Sequence, residues 1–185
     1  MNELAPQRMT IDEYLEWAIG RPGRYELVNG RPIRMSPETT GHVSVKGFVL
    51  LALMELTDGA APKLIALGDG ATVRISDDTA FEPDALVYAG PELPGKEMVV
   101  PNPLIVVEVL SPSSVNRDTT AKLTGYFSVP SVEHYLVVDP EDRLVVHYKR
   151  TAGREITARS LGEHETLDLS PPGLKLPVKR CFARR

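Results

Sequence analysis

The spacing of apolar and polar positions changes several times along this chain, and each change marks an element. Between Met9 and Gly20, residues Ile11, Tyr14, Leu15, Ala18 and Ile19 recur at the three-to-four spacing of an amphipathic helix. Thr10 stands at its start with Glu13 three residues later, the pattern in which each side chain can satisfy the other residue's amide. Pro22 and Gly23 end that helix. Residues 24–36 then alternate on either side of Asn29-Gly30, the strongest short signal for a β-hairpin. In its first strand Tyr25 and Leu27 face one way, and Arg24, Glu26 and Val28 the other. A longer helix is predicted from about Thr40 to Leu56, with Val45, Phe48, Val49, Ala52, Leu53 and Leu56 as its buried stripe and Gly59 just past its end.

Shorter periods follow. Residues 63–76 read as strand, Gly-Asp-Gly turn and strand, and residues 84–90 as a strand entered through Pro83. After a Pro- and Gly-rich loop, Leu104 to Ser111 is an almost unbroken apolar run, as expected of a central strand covered on both faces. Ser113, Ser114 and Asn116 are cap candidates for a helix of about three turns. Residues 133–139, 143–150 and 155–161 are three further strands, the first two joined by Pro140-Glu141-Asp142, and the Pro-rich tail is weakly structured by pattern. The succession predicts an α/β (α+β) domain with one mixed β-sheet flanked by helices. It divides into an N-terminal helix and hairpin over 9–36, a core over about 37–150, and C-terminal strands and tail over 151–185.

Composition narrows the class. The chain has 185 residues, of which 42% are hydrophobic and 25% charged, enough apolar material for one core without disulfides or metal staples. Cys181 is the only cysteine, which excludes an intrachain disulfide and favours a reducing, cytoplasmic setting. Residues 1–10 lack the basic segment and apolar run of a signal peptide, so none is expected, and the longest apolar run, Phe48 to Met54, is too short to cross a bilayer. The net charge of −4 argues against a surface that coats nucleic acid broadly, yet leaves room for a local basic strip such as Arg21, Arg24, Arg31 and Arg34. The Gly-Asp-Gly segment lacks the Lys-Ser/Thr of a phosphate-binding loop, no nucleophile elbow occurs, and no two histidines have zinc-site spacing.

The chemistry resides in two carboxylates. Asp84 opens one strand and Glu108 lies near the end of the apolar one. A carboxylate is costly to bury without a partner. If the two strands pair, the side chains converge at the strand ends, where they repel unless a cation or proton sits between them. Hard oxygen donors of this kind suit Mg²⁺ or Mn²⁺, which can polarise a phosphodiester and activate water.

Pro83-Asp84, followed some twenty residues later by an apolar strand with an internal Glu108, resembles the PD-(D/E)XK nuclease superfamily. The ordered set "YELVNGRPIRMSP", a helix beginning near His42, "PDALVY", "IVVEVLSPSS", "RDTTAKLTGYF" and "VEHYLVVDP" is similar to the Uma family of restriction-endonuclease-like proteins, over about Tyr25 to Pro140. The resemblance implies a restriction-endonuclease-like core and a DNA endonuclease. Asp84, Glu108 and the Val109 carbonyl would hold the metal. The superfamily lysine is expected two residues after Glu108, where this chain has Leu110; the resemblance moves its role to Lys122 on the next helix. Asp118, Lys122 and Tyr126 share one face of that helix. Glu26 would be a third acidic member, and His42 would assist substrate binding or proton transfer. A homodimer is expected for a nuclease that cuts both strands of a duplex.

Plainer roles are open for each residue. Asp84 suits a turn cap, Glu108 a structural ion pair with Lys122, and Glu26 a pair with Arg34 of the neighbouring strand. Asp118 and Lys122 suit a helix-surface pair, Tyr126 a core position, and His42 an exposed helix start. The alternative to an enzyme is a catalytically silent nuclease fold that binds DNA or a protein. A glycosidase with paired carboxylates ranks last, since 6% aromatic residues give little platform for a sugar.

Overall fold

The computed structural model describes residues 8–111, 118–152 and 155–183. Helix α1 (Ile11–Ala18) carries the reciprocal Thr10–Glu13 cap predicted for it. Strands β1 (Tyr25–Val28) and β2 (Arg31–Arg34) pair in antiparallel fashion around Asn29 and Gly30. Both turn residues adopt positive φ, 49° and 75°, the conformation a tight hairpin demands. Helix α2 (Thr40–Thr57) is followed by β3 (Leu64–Gly68), β4 (Val73–Arg74), β5 (Ala80–Phe81), β6 (Ala85–Ala89) and β7 (Pro103–Val109). Then come α3 (Asp118–Ser128), β8 (His134–Asp139), β9 (Leu144–Arg150), β10 (Ile156–Gly162), β11 (Thr166–Leu169) and β12 (Leu174–Pro177).

The α+β class is as expected, but the strands form three sheets rather than one. The main sheet is six-stranded and mixed, in the order β10-β9-β8-β7-β6-β3, with β7 and β8 parallel. A smaller sheet runs β2-β1-β5-β4, and β11 pairs with β12. The Gly-Asp-Gly turn was read correctly, yet its two strands part company: β3 edges the main sheet and β4 the small one. Strand β7 is central, as its apolar run required. Val107 and Val109 face α2 and the C-terminal residues, whereas Val106 packs with Tyr126 of α3 and Tyr135. Helix α1 covers the small sheet through Ile11, Tyr14, Leu27 and Ala80.

The tail is ordered, contrary to the sequence pattern. Its Ser170-Pro171-Pro172-Gly173 stretch is the turn between two short alternating strands, and a 3₁₀ turn (Val178–Cys181) follows. Leu167, Leu169, Leu176, Val178 and Cys181 are buried against the α2 side of the main sheet. The cap candidates Ser113, Ser114 and Asn116 lie outside the described residues. Among the described residues no helix is long and apolar enough to cross a membrane.

A histidine pair ties the tail to the sheet. His134 Nε2 meets the Pro171 carbonyl at 2.7 Å and His134 Nδ1 meets His147 Nε2 at 2.9 Å. A carbonyl only accepts, so His134 donates to it through Nε2–H and accepts from His147 Nε2–H at Nδ1, which makes the His134 ring neutral. Burial, reinforced at His147 by its partner, holds both well below the usual value, at about 4. The unfolded chain takes up protons below pH 6.5 that the folded pair refuses, so this contribution to stability is complete above 6.5 and falls as pH drops toward 4. Thermal melts should show Tm declining across that window, with a shallower decline in His147→Gln. Identical slopes in the two proteins would remove the pair from the acid response.

Candidate functional site

The pairing of β6 with β7 brings the two predicted carboxylates together. Ala85 faces Val107, so Asp84 and Glu108 stand at the same end of adjacent antiparallel strands. Asp84 Oδ2 accepts the Val109 amide at 2.6 Å, and its side chain is buried. This is more than a turn cap, because the other oxygen, Oδ1, is 2.9 Å from Lys46 Nζ on α2.

Glu108 has its partners on α3. Lys122 Nζ lies 2.9 Å from Glu108 Oε1, and the Tyr126 hydroxyl donates to the same oxygen at 2.6 Å. Lys122 also reaches Glu26 Oε1 at 3.1 Å. The one-turn spacing of Lys122 and Tyr126 places both over the sheet end, as the sequence suggested. Tyr126 is at once a core residue and a site residue: its ring packs edge-on against Phe81 at 5.5 Å while its hydroxyl meets the carboxylate. Asp118 begins α3, but its side chain is outside the description. Glu26 does not pair with Arg34. In the hairpin register Glu26 faces Ile33 and Tyr25 faces Arg34, so the two charges project to opposite faces. Glu26 instead accepts the Glu82 amide at 2.9 Å.

Close approach of α3 depends on Gly125. A Cβ there would fall 2.6 Å from Phe81 Cε2 and 3.4 Å from Ile75 Cγ2. Alanine usually gains helix stability over glycine, by up to about 1 kcal/mol. Here Gly125→Ala should lose roughly 1–3 kcal/mol through overpacking, read as a lowered Tm. A raised Tm would mean that Phe81 repacks freely.

His42 and Lys46 bring α2 into the site. His42 Nε2 lies 2.8 Å from the Val109 carbonyl, and Nδ1 is 3.5 Å from Glu38. His42 is therefore mostly enclosed rather than an exposed helix start. Lys46 Nζ is held by three carboxylates: Asp69 at 2.6 Å, Glu38 at 2.7 Å and Asp84 at 2.9 Å. Burial pulls the Lys46 pKa down, but these bonds more than offset it and the ammonium stays charged. Sequence reasoning missed Lys46, Glu38 and Asp69, together with Arg24, which bridges Asp69 at 2.6 Å and Glu82 at 3.0 Å. One signal was present: a lysine within the apolar stripe of a helix, one turn after His42.

Among the described residues six carboxylates thus share three permanent cations, Arg24, Lys46 and Lys122. The acids divide in their titration: Lys46 outweighs burial at Glu38 and, with Arg24, at Asp69, holding both below the usual carboxylate value. Burial raises Glu108 to about 7, with Asp84 and Glu26 adding to the rise and Lys122 opposing it. Glu82 is raised too, first by burial and then by Glu26 and Asp69, against Arg24. Such an excess of hard oxygen donors is chemically suited to a divalent cation. Glu38, Asp69 and Asp84 bring ligand atoms within 4.8 Å of one another. Asp84, Glu108 and the Val109 carbonyl form the set expected from the sequence, and the two sets share Asp84.

Comparison with known proteins accords with this architecture. Two Synechocystis proteins are similar over most of their length: sll1609 is 27% identical over 167 residues (88% of this chain, 93% of the relative), and slr1290 is 23% identical over 180 residues (90% and 93%). A solved structure from Anabaena variabilis, described as "a putative nuclease belonging to DUF820", superposes with a TM-score of 0.68, covering 94% of this chain and 97% of its own at 16% identity. At that identity the likeness is one of fold. Residues 11–179 match the Uma2 family, described as "Putative restriction endonuclease". The chain belongs to the Uma2 family.

Proposed function

We propose that this protein is a metal-dependent endonuclease that hydrolyses DNA phosphodiester bonds. The observation that carries the reading is Lys122: it replaces the lysine missing at Leu110 by reaching Glu108 and Glu26 from α3, at the strand end that also holds Asp84. The donor set fits Mg²⁺ or Mn²⁺, held by Asp84, Glu108 and the Val109 carbonyl, with Glu38 and Asp69 available beside Asp84. Such an ion supplies Lewis acidity toward the phosphodiester and acidifies bound water.

The chain's own groups have separable tasks. Lys122 offers an ammonium to the negative charge that develops on the phosphoryl oxygens and helps orient the attacking water. Tyr126 and Lys122 hold one oxygen of Glu108, which sets the direction of the other. The Val109 amide orients Asp84, and His42 holds the Val109 carbonyl. Glu26 shares Lys122 and keeps its ammonium at the strand end. Cutting both strands of a duplex calls for two such sites, so the reading includes a homodimer, testable by sedimentation.

The closed ion pairs of Lys46 and Lys122 favour the other reading, a catalytically silent module that binds without turnover. Calorimetric titration of Mn²⁺ into wild type and Asp84→Asn, beside cleavage of supercoiled plasmid, separates the two. The nuclease reading expects metal-dependent nicking that Asp84→Asn abolishes together with metal binding. DNA binding with no cleavage under any divalent metal overturns it in favour of the silent module.

A further inference from the structure

We infer that the face of β2 bearing Arg31 and Ile33 is the surface that holds the DNA strand entering the site. This rests on the nuclease reading above and adds to it the residues that position the substrate.

The hairpin register carries the argument. Glu26 faces Ile33 and Val28 faces Arg31, so these four side chains share one face of the small sheet. Glu26 lies 3.1 Å from Lys122 Nζ, so the same face leads into the site. Directly opposite residues on antiparallel strands are about 5 Å apart, and one further pair along adds roughly 7 Å. Ile33 is therefore one cross-strand step from Glu26, and Arg31 one pair beyond. Strand β2 is the outer edge of its sheet and ends the covered surface there.

Both residues are available for contact. Ile33 is 50% exposed. Arg31 is exposed, and its guanidinium makes no ion pair or hydrogen bond among the described residues. Arg21, Arg24, Arg74, Arg143, Arg150 and Arg180 all have such partners. The turn that leads into β2 is anchored. Gly30 donates to the Asp78 carbonyl at 2.7 Å and accepts the Met9 amide at 2.9 Å, and the Asn29 amide meets Thr79 Oγ1 at 3.1 Å.

Charge complementarity selects the occupant. Among the described residues the site has more acids than cations, and the chain has a net charge of −4, so a polyanion needs a free cation at the rim. An unpaired guanidinium meets that need by contacting a phosphate, and an exposed aliphatic side chain next to it suits the apolar face of a sugar or base. Arginine and proline on an edge strand also discourage sheet-to-sheet association. That role alters oligomeric state and leaves the salt dependence of DNA binding unchanged.

The hairpin contains its own control. Arg34 carries the same charge on the same strand but faces the other way, with its Nε beside Gly23. Fluorescence anisotropy with a labelled duplex and its single strand, in calcium and at several KCl concentrations, reads the difference. Arg31→Ala should weaken binding roughly five- to tenfold and reduce the salt slope by about 0.9 on the duplex or about 0.7 on the single strand. Ile33→Ser should weaken binding with the slope unchanged, and Arg34→Ala should match wild type; thermal melts establish that all three fold. If wild type binds and Arg31→Ala binds equally well, or Arg34→Ala loses as much, this assignment is overturned while the nuclease reading stands. Failure of wild type to bind either DNA at low salt overturns both.

Discussion

Glu108→Gln should abolish metal-dependent cleavage while the protein stays folded. The substitution keeps the shape of the side chain and a carbonyl oxygen that Tyr126 and Lys122 can still reach. It removes the negative charge a divalent ion needs. Metal-assisted charge stabilisation contributes several kcal/mol to such a reaction. At about 1.4 kcal/mol per tenfold, the loss in rate should be roughly 10²–10³-fold or more. Stability should change little or rise, since burial already disfavours the ionised carboxylate, as its raised pKa shows. Plasmid nicking by rigorously purified wild type and variant, with melts of both, checks the expectation. Cleavage retained in the variant would remove Glu108 from the metal site.

Lys122→Met should have the second large effect, on stability and activity together. The Lys122 side chain is 8% exposed, and its partners Glu26 and Glu108 are 10% and 14% exposed. Removing one member of an ion pair this enclosed leaves uncompensated charge and costs about 3–5 kcal/mol. A loss of activity alone would therefore be ambiguous, because a destabilised protein also loses activity. The double variant Lys122→Met/Glu108→Gln separates the causes. Removal of both charges should recover part of the lost Tm, with Glu26 still short of its lysine, whereas cleavage should not return. If instead Lys122→Met remains stable and cuts DNA at the wild-type rate, the lysine is neither the counter-ion nor the catalytic group assigned here.

Both expectations depend on features that were unequally legible in the chain. Asp84 and Glu108 stood out because a carboxylate in or beside an apolar strand has an energetic cost that calls for a partner. The i, i+4 relation of Lys122 and Tyr126 was readable for the same kind of reason, since helical periodicity alone puts them on one face. Lys46 was not recognised. Its partners Glu38, Asp69 and Asp84 come from three separated stretches, and no local period links them. Glu26 was identified with its role left open between a third acid of the metal site and a pair with Arg34. The hairpin register excluded Arg34, and the placement of the small sheet against α3 supplied Lys122.

What the sequence by itself determined is local: the Thr10–Glu13 cap, the Asn29-Gly30 hairpin, the extent of α2, the central place of β7 and the carboxylates at the ends of β6 and β7. Caps, turn conformations and apolar periods act over a few residues, so a few residues reveal them. Only the tertiary structure decided that the strands form three sheets, that the Pro-rich tail folds as a hairpin over the core, and that two buried lysines serve five acids. Those outcomes depend on which distant surfaces exclude water together and which charges are then enclosed with which counter-charges. That balance is set by the whole packed chain and by no single segment of it.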